Sequence, residues 1–174
     1  MSFDKNYLNS KKISIGLPVL NGEKFIQKQL ERILNQTHTN FELIISDNAS
    51  TDSTNKICEK FKMKDDRIRY YKQNKIINAI SNYNYVLEKA RCEYFLWVAV
   101  DDILLPNFLE RNLEVLINDK NIVCSASQVE YFGENRKYWK EKVEKSVMEK
   151  ITIKIVNRFQ NLTNYSTKGN FKSK

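Results

Sequence analysis

The sequence predicts an α/β domain built on an open, mostly parallel sheet flanked by helices. Three observations carry that expectation. Short apolar, strand-like runs alternate with segments of helical periodicity between Ile13 and Ser127, the pattern that βα units impose on a chain. One run, residues 94–100 (YFLWVAV), is apolar at nearly every position, as in a strand covered on both faces. Polar clusters close three of the runs, at 18–23, 46–52 and 101–102, and ligands of open α/β sheets bind beyond the carboxyl ends of the strands.

Residues 13–19 (ISIGLPV) predict a buried strand. Residues 23–36 follow as a helix, with Ile26, Leu30, Ile33 and Leu34 at helical spacing and Asn21 available as its cap. Residues 41–46 (FELIIS) predict a second strand, and the polar loop 47–52 leads into a helix with Ile57, Cys58 and Phe61 on one face. A third strand is expected at 68–71, then a helix at 79–90 carrying Ile80, Tyr83, Val86, Leu87 and Ala90 inward. The strand 94–100 runs directly into Asp101 and Asp102. Pro106 suits the first turn of the next helix, which buries Leu109, Leu113, Leu116 and Ile117, and 122–127 gives one more strand. After Gly133, Trp139, Val143, Val147, Ile151, Ile155, Phe159 and Leu162 recur at steps of four or three among many lysines. That spacing predicts a basic amphipathic helix, so the chain divides into a domain over 1–133 and a helical extension over 134–174.

Composition excludes several classes. Of 174 residues, 41% are hydrophobic and 29% charged, ordinary for a soluble globular chain. No stretch approaches the roughly 20 apolar residues that span a bilayer. The opening MSFDKNYLNSKK has neither an apolar core nor a cleavage site, so a cytoplasmic location is expected. Cys58, Cys92 and Cys124 form no CxxC pair, which argues for reduced, partly buried thiols and against a zinc site. The net charge of +8 is uneven: 1–133 hold 18 Lys/Arg against 17 Asp/Glu, and 134–174 hold 11 against 4. The body is therefore nearly neutral, and nucleic-acid binding by the whole chain loses its main support. The 4 glycines form neither GxGxxG nor a P-loop, which argues against dinucleotide enzymes and P-loop ATPases. His38, the only histidine, lies away from the strand ends, and no Ser/His/Asp or Cys/His set suggests itself.

Of the three polar clusters, Asp101 and Asp102 are the most informative. Two adjacent carboxylates at the end of an apolar strand resist joint ionisation. A hard divalent cation relieves that cost and can neutralise charge on a departing phosphate. Asp before Pro106 also suits a cap or turn. Asp47 suits either a hydrogen bond to a nucleobase or ribose, or an Asx-turn that starts its loop. Ser50 and Asp52 read better as helix caps than as ligand contacts.

The stretches ISIGLPVLNGEKFI, FELIISDNASTDST and RIRYYKQNKIINAISNYNYVLEKARCEYFLWVAVDDILLP resemble the family 2 glycosyltransferases in order, spacing and residue type. The resemblance covers roughly residues 11–132; each motif alone is weak, and the ordered set is specific. It implies a GT-A (Rossmann-like) fold and transfer of a sugar from a nucleotide-diphosphate sugar to an acceptor hydroxyl, with inversion, in surface glycan or polysaccharide synthesis. It implies a divalent metal (Mn2+ or Mg2+), a glycan or lipid-linked acceptor, and no nucleic-acid partner. By motif position Pro18, Leu20, Asn21 and Glu23 line the nucleoside pocket and Asp47 hydrogen-bonds the base. Asn82 and Asn84 occupy the polar stretch before the fourth strand. Asp101 is the metal-binding aspartate of a DxD-like motif, with Asp102 beside it.

The chain also departs from the family pattern. Ala99 stands where many members carry a further Asp, Asn78 and Cys92 where glycine is common, and Tyr85 where arginine is common. An inverting transfer needs a general base, yet Glu134, Glu141, Glu144 and Glu149 lie among lysines as a solvated face and no acidic motif follows Tyr131. The base is expected to be absent, with the chain stopping inside the acceptor-side segment. The alternative is an incomplete nucleotide-sugar-binding module that acts with a partner chain. A nucleotidyltransferase lacks its Gly-rich phosphate loop here. The extension either lies on an anionic membrane, at its inner face, or packs its apolar stripe on the domain.

Overall fold

Strands β1 (Ile13–Val19) and β2 (Phe41–Asp47) are buried at every position, which requires a covering layer on each face. The structure, a computed structural model, describes residues 4–127 and 154–157. The remaining strands are β3 (Ile68–Lys72), β4 (Tyr94–Trp97), β5 (Cys124–Ala126) and β6 (Lys154–Asn157). They form one sheet in the order β3-β2-β1-β4-β6-β5. The first four are mutually parallel, and β6 runs antiparallel to both β4 and β5.

Alternation along β1 sorts the core. Ile13, Ile15 and Leu17 pack with Ile26, Leu30 and Ile33 of α2 (Ile26–Leu34), Cys58 of α3 (Thr54–Lys62) and Leu109 and Leu113 of α5 (Phe108–Asn118). Ile44 and Phe95 pack on the other face with Val86 and Ala90, contributed by α4 (Ala79–Lys89) and the residue that ends it. Gly16 fits beneath α4 because it has no Cβ: one added there would lie 2.7 Å from Phe95 and 2.7 Å from Val86. Near the start of the strands a buried Glu42 gathers four donors, the Cys92 thiol at 3.8 Å among them. Ser14 Oγ donates at 2.7 Å, the Arg91 N–H at 2.8 Å and Arg69 Nη1 at 2.9 Å.

Several expectations are corrected. A short helix not foreseen, α1 (Lys5–Ser10), is capped by Asp4 and buries Leu8. Strand β4 stops at Trp97, short of Val100, so Asp101 and Asp102 follow an irregular segment. Asn21 caps no helix: α2 begins after Phe25, and Asn21 adopts φ 51 instead. Pro106 lies two residues before α5, in the turn that leads into it. Ile80 and Tyr83 do not point inward; they are 75% and 39% exposed, because the stripe that α4 buries runs through Asn82 and Val86 and both residues lie off it. Ile155, assigned to the basic helix, belongs to β6, where it pairs with Leu96 and Ser125. The rest of 134–174, with Glu134, Glu141, Glu144 and Glu149, lies outside the described residues. Cys58 and Cys92 are buried free thiols and Cys124 is half-buried. Among the described residues no helix is long and apolar enough to cross a membrane.

Candidate functional site

The strand order places a switch point between β1 and β4: the chain leaves β1 toward β2 and β3, then returns to add β4 on the other side. Connections on either side of such a point splay apart and leave a crevice at the carboxyl edge. Val19 and Asp47 end their strands in register. The Val98 N–H continues the ladder to Gly16 O at 2.9 Å, so Asp101 and Asp102 arrive at the same edge.

The loops after β1 and β2 are stitched to each other. The Asn48 N–H donates to Val19 O at 2.8 Å, Asn21 N–H to Ser50 Oγ at 2.9 Å and Thr51 N–H to Asn21 Oδ1 at 2.9 Å. The Gly22 N–H donates to Thr54 Oγ1, the Glu23 N–H to Asp52 Oδ2, and the Ser53 N–H returns to Glu23 Oε2 at 2.9 Å. Asp52 also accepts the Thr54 N–H at 3.0 Å, but the cap of α3 is Ser53, without a side-chain bond, so neither Ser50 nor Asp52 is the helix cap that its position suggests. A Cβ at Gly22 would stand 2.6 Å from Val19 and 3.2 Å from Val100, so glycine lets this loop close on the residue before Asp101. The backbone is left-handed at Asn21 and also at Ala49, at φ 58.

The residues expected at the site divide accordingly. Pro18 is buried within β1, and Leu20 is 44% exposed at the mouth. Asn21 and Glu23 spend polar atoms on the facing loop. Asp47 is fully buried; Oδ1 accepts the Ser50 N–H at 2.8 Å and Oδ2 the Tyr70 hydroxyl at 2.7 Å. Asn82 is buried, its Oδ1 accepting Ser46 Oγ at 2.6 Å and its Nδ2 donating to Ser46 O, whereas Asn84 is exposed. Asn48 clasps both backbone groups of Ile77 at 2.8 Å, which fixes the start of the β3–α4 connection against the β2 loop.

Asp101 is exposed and Asp102 half-buried. Burial pushes the Asp102 carboxyl above the ordinary aspartate range; a hydrogen bond from the Ala99 N–H opposes this and the neighbouring Asp101 charge adds to it. Tyr83 is the site residue that helical periodicity misassigned. Its phenol is pushed up by burial and by the charges of Asp102 and Asp101, and Trp97 Nε1 holds its backbone carbonyl at 3.1 Å. Its signal in the sequence is position alone: a polar Asn82 marks the buried stripe of α4, and apolar periodicity passes over it.

Among the described residues neither Asp101 nor Asp102 has an ion-pair partner, and no group of three metal-ligating side chains occurs. Two uncompensated carboxylates suit Mg2+ or Mn2+, which take one or two carboxylates and complete their shell from phosphates and water. His38 is buried elsewhere, where its Nε2–H meets the carbonyls of Lys11 at 3.0 Å and Asn40 at 3.1 Å. Burial lowers its pKa against the pull of those carbonyls.

An open, mostly parallel α/β sheet that brings two adjacent carboxylates to its switch point has the arrangement in which proteins of this class bind ligands at the carboxyl edge. Residues 14–171 match glycosyl transferase family 2, and the chain belongs to that family. It is 37% identical over 101 residues to the glycosyltransferase GlyG of Streptococcus pneumoniae, covering 58% of this chain and 34% of that protein. An uncharacterized glycosyltransferase of Rickettsia bellii is 32% identical over 135 residues, covering 77% and 19%. The chain thus spans about a third or less of the length of these relatives. Among solved structures, S. aureus TarS 1-349 in complex with UDP superposes with TM-score 0.60 at 26% identity, over 70% of this chain and 37% of that one. The mannosyltransferase PcManGT from Pyrobaculum calidifontis, in complex with GDP-Man and Mn2+, shares the GT-A fold at TM-score 0.62 and 18% identity, over 76% and 39%.

Proposed function

We propose that this chain forms the donor-binding half of a glycosyltransferase that moves a sugar from a nucleotide-diphosphate sugar to an acceptor hydroxyl with inversion. One observation carries the reading: the Asp101–Asp102 pair, without a countercharge, reaches the same sheet edge as the cross-stitched loops after β1 and β2. The UDP bound to TarS and the GDP-Man and Mn2+ bound to PcManGT support a nucleotide-sugar donor and a metal here.

In this reading Asp101 and Asp102 hold Mn2+ or Mg2+, and the bound cation offsets charge on the diphosphate. Pro18, Leu20, Asn21 and Glu23 shape the nucleoside side of the crevice. Asp47, with both oxygens already hydrogen-bonded inside the protein, serves the base by fixing its loop. Asn82 holds α4 to β2, so that α4 presents Tyr83 beside the carboxylates. The acceptor is a surface glycan or a lipid-linked glycan, reached at the inner face of the membrane from the cytoplasm. The excess of 11 Lys/Arg over 4 Glu in 134–174 supports contact with anionic lipid.

Calorimetric titration with UDP, GDP and dTDP, with Mn2+ and with EDTA, tests the donor site. Metal-dependent binding that Asp101→Ala abolishes is the expected result. Binding of no nucleotide by the folded protein would sink the reading, and binding without sugar transfer would favour a module completed by a partner chain.

A further inference from the structure

The segment that carries Asp101 and Asp102, residues 98–107, contains no helix or strand, so its shape must be imposed from outside. Gln29 of α2 and Gln36, two residues beyond the end of α2, hold it at two points. Gln29 in α2 donates from Nε2 to Ala99 O at 2.8 Å. Gln36 donates to Leu105 O at 2.8 Å and accepts the Leu109 N–H at 3.1 Å. Gln29 grips the segment at its start and Gln36 near its end, where the Thr37 N–H also donates to Pro106 O at 2.8 Å.

The grip at Ala99 reaches the carboxylates directly. Ala99 O also accepts the Asp102 N–H at 3.3 Å, and the Ala99 N–H donates to Asp102 Oδ2 at 3.2 Å. One amide of Gln29 therefore fixes the peptide that fixes Asp102. Gln29 is fully buried, and its Oε1 has no hydrogen-bond partner among the described residues. A buried unpaired amide oxygen is a cost that an aliphatic side chain would avoid. The amide orientation is set by its neighbour, since the flipped form would press oxygen against the Ala99 carbonyl. Packing alone does not account for a glutamine here; holding the Ala99–Asp102 turn does.

We propose that Gln29 is a positioning residue of the donor site, holding the Ala99–Asp102 turn so that Asp101 and Asp102 present a ready cation site. The inference rests on the donor-site reading above. Groups that orient metal ligands without touching the metal typically change metal affinity by roughly 10- to 100-fold when removed.

The test compares UDP affinity with Mn2+ and with EDTA, alongside thermal unfolding. Gln29→Met keeps length and bulk and removes the amide. It is expected to fold, to keep the affinity measured with EDTA and to lose roughly tenfold or more of the Mn2+-dependent affinity. In an Asp102→Asn background the same substitution should cost nothing further, because both act through one turn. Unchanged Mn2+-dependent affinity, or equal losses with and without metal, overturns the inference. If Gln29→Met does not fold, Gln29→Asn, which keeps an amide but falls a methylene short of Ala99, is read by the same two outcomes. An unsubstituted protein that binds UDP no better with Mn2+ than with EDTA overturns the donor-site reading itself, and this inference falls with it.

Discussion

The Tyr70 hydroxyl donates a 2.7 Å hydrogen bond to Oδ2 of Asp47 and ties the middle of β3 to the end of the neighbouring β2. Asp47 is fully buried, and such a carboxylate is tolerated because each oxygen has a donor. Tyr70 in turn accepts a bond from Asn55 Nδ2 at 2.9 Å. Tyr70→Phe keeps the ring and leaves one carboxylate oxygen without its donor. The expected cost is about 1–3 kcal/mol in urea denaturation. No change would mean that the loop, and not the tyrosine, satisfies Asp47.

The two left-handed residues beside Asp47 should respond in opposite directions to glycine. Ala49 adopts φ 58 with a methyl side chain that can make no hydrogen bond, and an L residue there costs roughly 1–2 kcal/mol. Ala49→Gly is expected to stabilise the protein by up to about 1 kcal/mol once the flexibility of glycine is counted. Asn21 has the same backbone, but its Oδ1 holds the Thr51 N–H. Asn21→Gly should therefore destabilise. Thermal unfolding of the two variants side by side checks the pair, and equal signs would refute it.

The contrast between Val86, which is buried, and Tyr83, which is exposed, shows what the sequence could and could not disclose. Alternation and apolar runs reveal β1 to β4 because burial on both faces demands them, and a strand leading into Asp101 and Asp102 locates the sheet edge. Helical spacing correctly buries Val86 and Ala90, yet it cannot show that a polar residue, Asn82, takes the buried position in the first turn and leaves Ile80 and Tyr83 exposed. Asn21 reads as a cap because capping residues and left-handed residues share the same short polar side chains. The loop-to-loop hydrogen bonds join residues about 30 apart, as from Thr51 to Asn21, and no local pattern encodes them. In the tail, residues at three- and four-step spacing include Ile155, but a four-residue strand such as β6 fits inside that spacing unnoticed.

Glu42 gives the fold a pH dependence of definite sign. Burial favours its neutral form, but bonds from Ser14, the Arg91 N–H and Arg69, with the Arg69 charge, outweigh burial and hold it below the ordinary 4.5. A carboxyl depressed in the folded state contributes stability above its unfolded pKa and loses it as pH falls through the folded value. Glu42→Gln leaves Arg69 without its buried partner and should cost about 3 kcal/mol at neutral pH. Because that cost reflects an ionised Glu42, it should shrink as pH falls below the ordinary carboxylate range. Urea midpoints at neutral and acid pH, for both proteins, test this; a cost independent of pH would place the effect in packing.

Gly16 should be the least replaceable glycine in the sheet. It pairs with Ile44 on one side and Trp97 on the other, and a Cβ would meet Phe95 Cζ and Val86 Cγ2, each at 2.7 Å. Phe95 cannot swing aside freely, since it is 1% exposed and packs edge-on to Trp97 with centroids 4.8 Å apart. Val86 is fully buried in α4, which also carries Tyr83 over the site. Gly16→Ala is therefore expected to destabilise by about 1–3 kcal/mol through overpacking. Val86→Ala opens space at the same point, so the double variant should recover part of the combined loss. Strict additivity of the two single changes would show that the Gly16 cost arises from Phe95 or the backbone and not from α4.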